Sequence, residues 1–150
     1  MKVIGLLAVS AALITFAAVS APSATRPVTH MPAADVAAAF AQGRPLVEVE
    51  NYKVHASRRE AAGQAEVHTK DTDIVYVLTG TATFVTGGTV VGGKEIAPEE
   101  IRGSGVEGGE TRSLKAGDLV IVPNGTPHWF KDVPGPMTYY VVKVRAEAGR

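Results

Sequence analysis

From Leu46 onward the chain alternates apolar and polar positions with a period of two. Leu46, Val47 and Val49 open a strand, and Tyr52, Val54 and Ala56 alternate with polar neighbours. Further runs rich in β-branched and aromatic residues fall at 64–69, 73–79, 81–86, 110–114, 118–122, 127–132 and 137–145. Short Gly/Pro punctuation separates them, a pattern that predicts an all-β sandwich or barrel. One segment differs. Residues 33–42 are alanine-rich, with Val36 and Phe40 at i and i+4, and Gly43 follows. That spacing predicts one short N-terminal helix, stopped at the glycine. Its apolar pair packs either on its own barrel or on a partner subunit.

Two other segments do not follow the alternation. Residues 1–21 carry Lys2, then an apolar run from Val3 to Val19, then Val19-Ser20-Ala21 with small residues at the −3 and −1 positions. This predicts a secretory signal peptide and a secreted or periplasmic protein. Once it is cleaved, no stable membrane span is expected. Pro22 to Pro32 reads as a linker that continues into the helix, so residues 22–45 form a connecting region ahead of a barrel over 46–146. Gly87 to Glu110 holds three Gly-Gly pairs and Glu99-Glu100. It is either a long twisted hairpin covering a barrel edge or a lid over the barrel mouth.

Charge narrows the range of partners. The chain has 15 basic and 15 acidic residues, and loss of Lys2 with the leader leaves 14 against 15. With no basic excess and no basic stripe, no nucleic-acid partner is expected. There are no cysteines, so an oxidising compartment supplies no disulfide. No phosphate loop or nucleophile elbow is present.

Candidate chemistry gathers around two stretches. In the second, Leu119 to Val122 form an apolar strand, Pro123 ends the ladder, and Gly125 provides the positive φ of a sharp reversal. His128 then opens the next strand. Gly117, Pro123, Gly125, His128 and Asp132 resemble the second motif of the cupin superfamily. Upstream, Gly63-Gln64-Ala65-Glu66-Val67-His68-Thr69-Lys70-Asp71-Thr72-Asp73, continuing through Tyr76 to Gly80, is similar to its first motif. Asp73 stands in the usual Glu place, and one histidine of the usual pair is missing. The resemblance covers roughly residues 63–132.

It implies a double-stranded β-helix, or jelly-roll barrel, holding a small-molecule ligand and a divalent metal ion, with pairing into a homodimer. Metal identity stays open among Mn, Fe, Zn and Ni, all of which accept imidazole nitrogen and carboxylate oxygen. The implied ligands are His68, Asp73, His128 and Glu66. Two registers remain open. Either His68 is the family's first histidine and Lys70 replaces the second, or His68 is the second and Glu66 replaces the first. An inward Lys70 would repel a cation, pair with Asp73 or Glu66, and leave a metal-free polar pocket. Lys70, Tyr76 and His55 are the expected substrate-binding residues. Trp129 should face away from His128, and Arg58-Arg59-Glu60 reads as a solvated turn. Enzyme and non-catalytic binder both remain open, as does a barrel whose site has decayed.

Overall fold

The computed structural model describes residues 26–146. The leader expected over residues 1–21 lies outside the described residues, as does the chain after Ala146. Chain contacts divide the molecule into a segment ending at His30 and a unit beginning at Met31. Of the first segment, residues 26–30 are described, and they carry no helix or strand. No helix among the described residues is long and apolar enough to cross a membrane.

In the second unit the helix α1 (Ala33–Gln42) comes first, ahead of thirteen strands. Asp35 lies in its first turn, where a negative charge suits the helix dipole. Gly43 ends it in the left-handed conformation at φ 61°, its N–H returning to the carbonyls of Ala39 and Phe40. The helix packs on its own barrel. Ala39 is buried, and the Phe40 ring meets Tyr140 edge-on at 4.8 Å.

The strands are β1 (Pro45–Glu48), β2 (Tyr52–Arg59), β3 (Ala65–His68), β4 (Asp71–Thr79), β5 (Thr81–Thr86), β6 (Thr89–Val91) and β7 (Lys94–Ala97). They continue with β8 (Glu100–Gly103), β9 (Gly105–Glu107), β10 (Glu110–Lys115), β11 (Leu119–Val122), β12 (His128–Asp132) and β13 (Met137–Arg145). Two sheets form the barrel, in the orders β1-β2-β13-β4-β11 and β10-β5-β12-β3-β8-β7. All the strand pairings are antiparallel. Consecutive strands change sheet repeatedly, which is the double-stranded β-helix expected from the sequence.

Between the sheets lies one apolar cluster containing Val75, Val77, Phe84, Leu114, Phe130, Met137 and Tyr139. Phe84 is fully buried and stacks near Phe130, with ring centroids 4.6 Å apart. The alternation read from the sequence generates this cluster, because alternate side chains of β4, β12 and β13 point inward.

The glycine-rich segment is more structured than a single hairpin. It folds into β6 to β9: β8 pairs along β3 and β7 pairs along β8, while β6 and β9 form a separate two-stranded ribbon. The segment therefore covers the open edge of β3. Trp129 turns away from His128 as expected. Its indole N–H donates to the Gly63 carbonyl at 2.7 Å, and its ring lies against Gly105, where a Cβ would sit only 3.3 Å from it.

Candidate metal centre

Four buried polar side chains converge at one end of the barrel interior: Glu66 and His68 from β3, Asp73 from β4 and His128 from β12. Glu66 and His68 share a face because they are two apart on a strand. Cross-strand register then sets His128 directly opposite Glu66. The turn before β12 is held from both sides. Thr126 N–H donates to the Pro123 carbonyl, Gly125 N–H donates to the His68 carbonyl at 2.8 Å, and Asn124 Nδ2 donates to the Thr69 carbonyl. Gly125 has φ 76°, a conformation that carries a steric cost for residues with a Cβ. The turn that delivers His128 is thus tied to the strand that carries His68.

Side-chain atoms of Glu66, His68 and His128 lie within 4.8 Å of one another and can hold a metal ion. His68 Nε2 lies 3.5 Å from Glu66 Oε2 and 3.3 Å from Asp73 Oδ2. His128 Nε2 lies 3.8 and 3.7 Å from the same two oxygens. The other nitrogen of each ring is fixed from behind. His68 Nδ1 donates to Glu100 at 2.7 Å, and His128 Nδ1 donates to the Thr126 carbonyl at 3.2 Å. Both Nε2 atoms therefore face the centre, in the orientation that outer carboxylate and carbonyl partners give to metal-binding imidazoles. His68 Nε2 is fully buried and makes no well-aligned hydrogen bond. A buried nitrogen without a partner, facing two carboxylates and a second imidazole, fits a divalent cation.

Electrostatics without a metal support the same geometry. Burial opposes a charged His68, but the adjacent carboxylates of Asp73, Glu100 and Glu66 outweigh it and raise its pKa to about 10. Burial also opposes ionised Glu66. The adjacent His68 and the charges of Arg102, His128 and Arg59 override it and hold Glu66 at about 2. Asp73 is lowered too, with His68 and Lys143 overcoming its burial. His128 goes the other way: burial dominates the attraction of Glu66 and Asp73 and lowers its pKa, favouring a neutral imidazole. Within one cluster, one histidine attracts a proton and the other presents a lone pair.

A cavity of about 620 Å³ opens from this centre. His55 lines it from β2, with Nε2 3.0 Å from Glu48 Oε1. Two other expected substrate-binding residues, Lys70 and Tyr76, do not line it. Lys70 lies in the turn between β3 and β4, with its side chain half exposed and its ammonium 3.8 Å from Glu99. A turn interrupts the strand after His68, so the two-residue rule no longer carries Lys70 inward. Tyr76 is exposed on the outer side of β4, facing Leu119 and Tyr140 across the sheet. Its even-numbered parity opposes that of inward Asp73, Val75 and Val77.

The cation that meets Asp73 is instead Lys143. Its ammonium donates to both carboxylate oxygens, at 2.8 and 2.7 Å. The two residues are direct cross-strand partners. Arg59, read as part of a solvated turn, ends β2 and enters the cavity. It donates to Glu66 at 3.1 Å and to the Tyr139 hydroxyl at 2.9 Å, and its guanidinium lies over the Phe130 ring. Arg102, from the glycine-rich segment, reaches Glu66 at 2.5 Å and Glu100 at 2.5 Å. Strand parity was the available signal for Lys143, which continues the inward series Met137, Tyr139, Val141. Arg102 and Glu100 carried no such signal, because their strand was not legible.

Comparison with known proteins agrees with the architecture. The family profile described as "Cupin" matches residues 51–148. A crystal structure of a Bacillus halodurans protein superposes with a TM-score of 0.55 at 13% identity, covering 85% of this chain and 87% of that one. A cupin protein from Bacteroides fragilis gives 0.50 at 13% identity, over 84% and 91% of the two chains. KdgF from Halomonas sp. gives 0.50 at 16% identity, over 69% and 77%. At these identities the likeness shows the fold alone. No curated protein matches the sequence significantly. The double-stranded β-helix and the profile match over most of the chain together establish that this protein belongs to the cupin family.

Proposed function

We propose that this cupin binds a divalent metal through Glu66, His68 and His128, with Asp73 beside it, and presents that metal to a small molecule in the adjoining cavity. The observation that carries the reading is the buried His68 Nε2, which makes no well-aligned hydrogen bond and faces Glu66, Asp73 and His128. Of the two registers open in the sequence, this is the one in which Glu66 takes the place of the missing histidine. A bound metal would supply Lewis-acid or oxygen-binding chemistry. The chain's own residues do the rest. Glu100 and the Thr126 carbonyl orient the imidazoles, while Arg59 and Arg102 hold the Glu66 carboxylate in place. His55, in contact with Glu48, lines the cavity wall. The leader-like segment at residues 1–21 supports a secreted or periplasmic location.

The test is metal content by mass spectrometry after exposure to Mn, Fe, Ni or Zn. The expected result is near-stoichiometric metal, lost in His128→Ala. No metal under any of these conditions would sink the reading.

A second reading, a metal-free cupin that binds a small molecule without turnover, draws on the Lys143–Asp73 ion pair. That ammonium already neutralises one of the four expected ligands. Pairing of two copies belongs to either reading. Its support is the outer face of the five-stranded sheet, where Tyr76, Leu119, Ile121 and Val144 are exposed. Sedimentation should show a dimer that Ile121→Lys weakens; a monomer at all concentrations would dismiss pairing.

A further inference from the structure

The cavity wall carries four carboxylates, Glu48, Glu66, Asp73 and Glu100, and four cations, Lys53, Arg59, Arg102 and Lys143. Set apart from the two imidazoles, these charges balance, and the inner ones are paired. Arg59 and Arg102 hold Glu66, and Lys143 holds Asp73. Lys143, Glu66 and Asp73 are all largely buried, with side-chain exposures of 14%, 12% and 6%. Uncompensated charge is costly at such depth. A divalent cation placed among Glu66, His68 and His128 displaces the proton that His68 otherwise holds and leaves the cavity one positive charge richer. It faces Glu66 Oε2, leaving Oε1 to Arg59 and Arg102, and competes with Lys143 for Asp73 Oδ2. The metal-loaded cavity then holds excess positive charge and one donor, Lys143, whose partner is shared.

We infer that the cavity takes a small organic carboxylate, and that metal and carboxylate bind with positive coupling. The inference rests on the proposed metal site and adds the class of its ligand. The forked guanidinium groups of Arg59 and Arg102 suit a carboxylate, which accepts two parallel hydrogen bonds. Val75, Phe130 and Val141 line the same space, so the cavity accommodates an organic body behind the charged head. Lys143 is the residue that changes partner: it holds Asp73 in the metal-free protein and an anion in the loaded one. The coupling is reciprocal, so each ligand tightens the other by the same factor.

The experiment uses the full protein and calorimetry, with Zn²⁺ as a redox-inert metal, benzoate as the anionic probe and benzamide as its neutral isostere. Zn²⁺ alone tests the metal site; failure to bind overturns that reading, and the coupling with it. Given Zn²⁺ binding, benzoate should bind the loaded protein about tenfold more tightly than the metal-free protein, a typical coupling between sites. Benzamide should show no such gain. Equal benzoate affinities in the two forms, no benzoate binding in either, or an equal gain with benzamide would overturn the inference and leave the metal site standing. Lys143→Met should reduce the benzoate gain while keeping Zn²⁺ binding, a split that general unfolding does not produce. Retention of the full gain in that variant would remove Lys143 from the proposal.

Discussion

The two ends of the barrel interior are built from the same strands and obey different physics. Along β4, Val75 and Val77 enter the apolar cluster and Asp73 enters the polar one. Along β12, Phe130 is apolar and His128 polar; along β13, Met137, Tyr139 and Val141 precede Lys143. At the apolar end, non-directional burial sets the stability, and a lost side chain costs roughly its area and the cavity it leaves. At the polar end, each group is tolerable only because a specific partner meets it. A change at the first end is graded by size, and a change at the second by what it leaves unpaired.

The largest expected effect lies at the apolar end. Phe84→Ala, at a fully buried position, should cost about 3–5 kcal/mol in denaturant unfolding. Loss below about 1 kcal/mol would mean that the cluster is loosely packed. Next, Asp73→Asn leaves the Lys143 ammonium buried without its counter-charge and should cost about 3 kcal/mol. Adding Lys143→Met should recover part of that loss. A double variant no more stable than Asp73→Asn would show that the pair is not the energetic unit at this end.

The polar end should also respond to pH where the apolar end does not. His68 has a folded pKa of about 10, above its ordinary 6.5. Its contribution is therefore fully present below about 6.5 and is lost as pH rises through 10. Glu66, at about 2 against an ordinary 4.5, contributes above about 4.5 and loses that contribution as pH falls through 2. Urea midpoints of the chelator-treated protein should thus decline on both sides of a plateau between roughly pH 4.5 and 6.5. His68→Ala should flatten the alkaline limb, and an unchanged limb in that variant would remove the assignment.

Smaller effects lie outside the barrel interior. Phe40→Ala removes the edge-on contact with Tyr140 and should cost about 1 kcal/mol, read as a lowered melting temperature. Lys70→Ala and Tyr76→Ala should leave metal content unchanged and shift stability by less than about 0.5 kcal/mol. A loss of metal in either would bring that residue back toward the site.

Much of this could be read along the chain. The helix over 33–42, the strands at 81–86 and 137–145, and the turn at Pro123–Gly125 are local features, set by periodicity, proline geometry and glycine's access to positive φ. The assembly of Glu66, His68, Asp73 and His128 followed from a family resemblance, since strand parity alone could not choose between Glu66 and Lys70. The four short strands inside 87–110 had too little alternation to be seen, and Arg102 and Glu100 were hidden with them.

Outside 87–110, local sequence was enough to specify most of the strands and their turns, because backbone sterics and burial act over a few residues. Pairings such as Asp73 with Lys143, 70 positions apart, or Glu66 with Arg102 were decided only when β13 docked beside β4 and β8 beside β3. Charge–charge contacts depend on separation in space. For these residues that separation is set by sheet register, which arises from the whole fold and cannot be read from either strand alone.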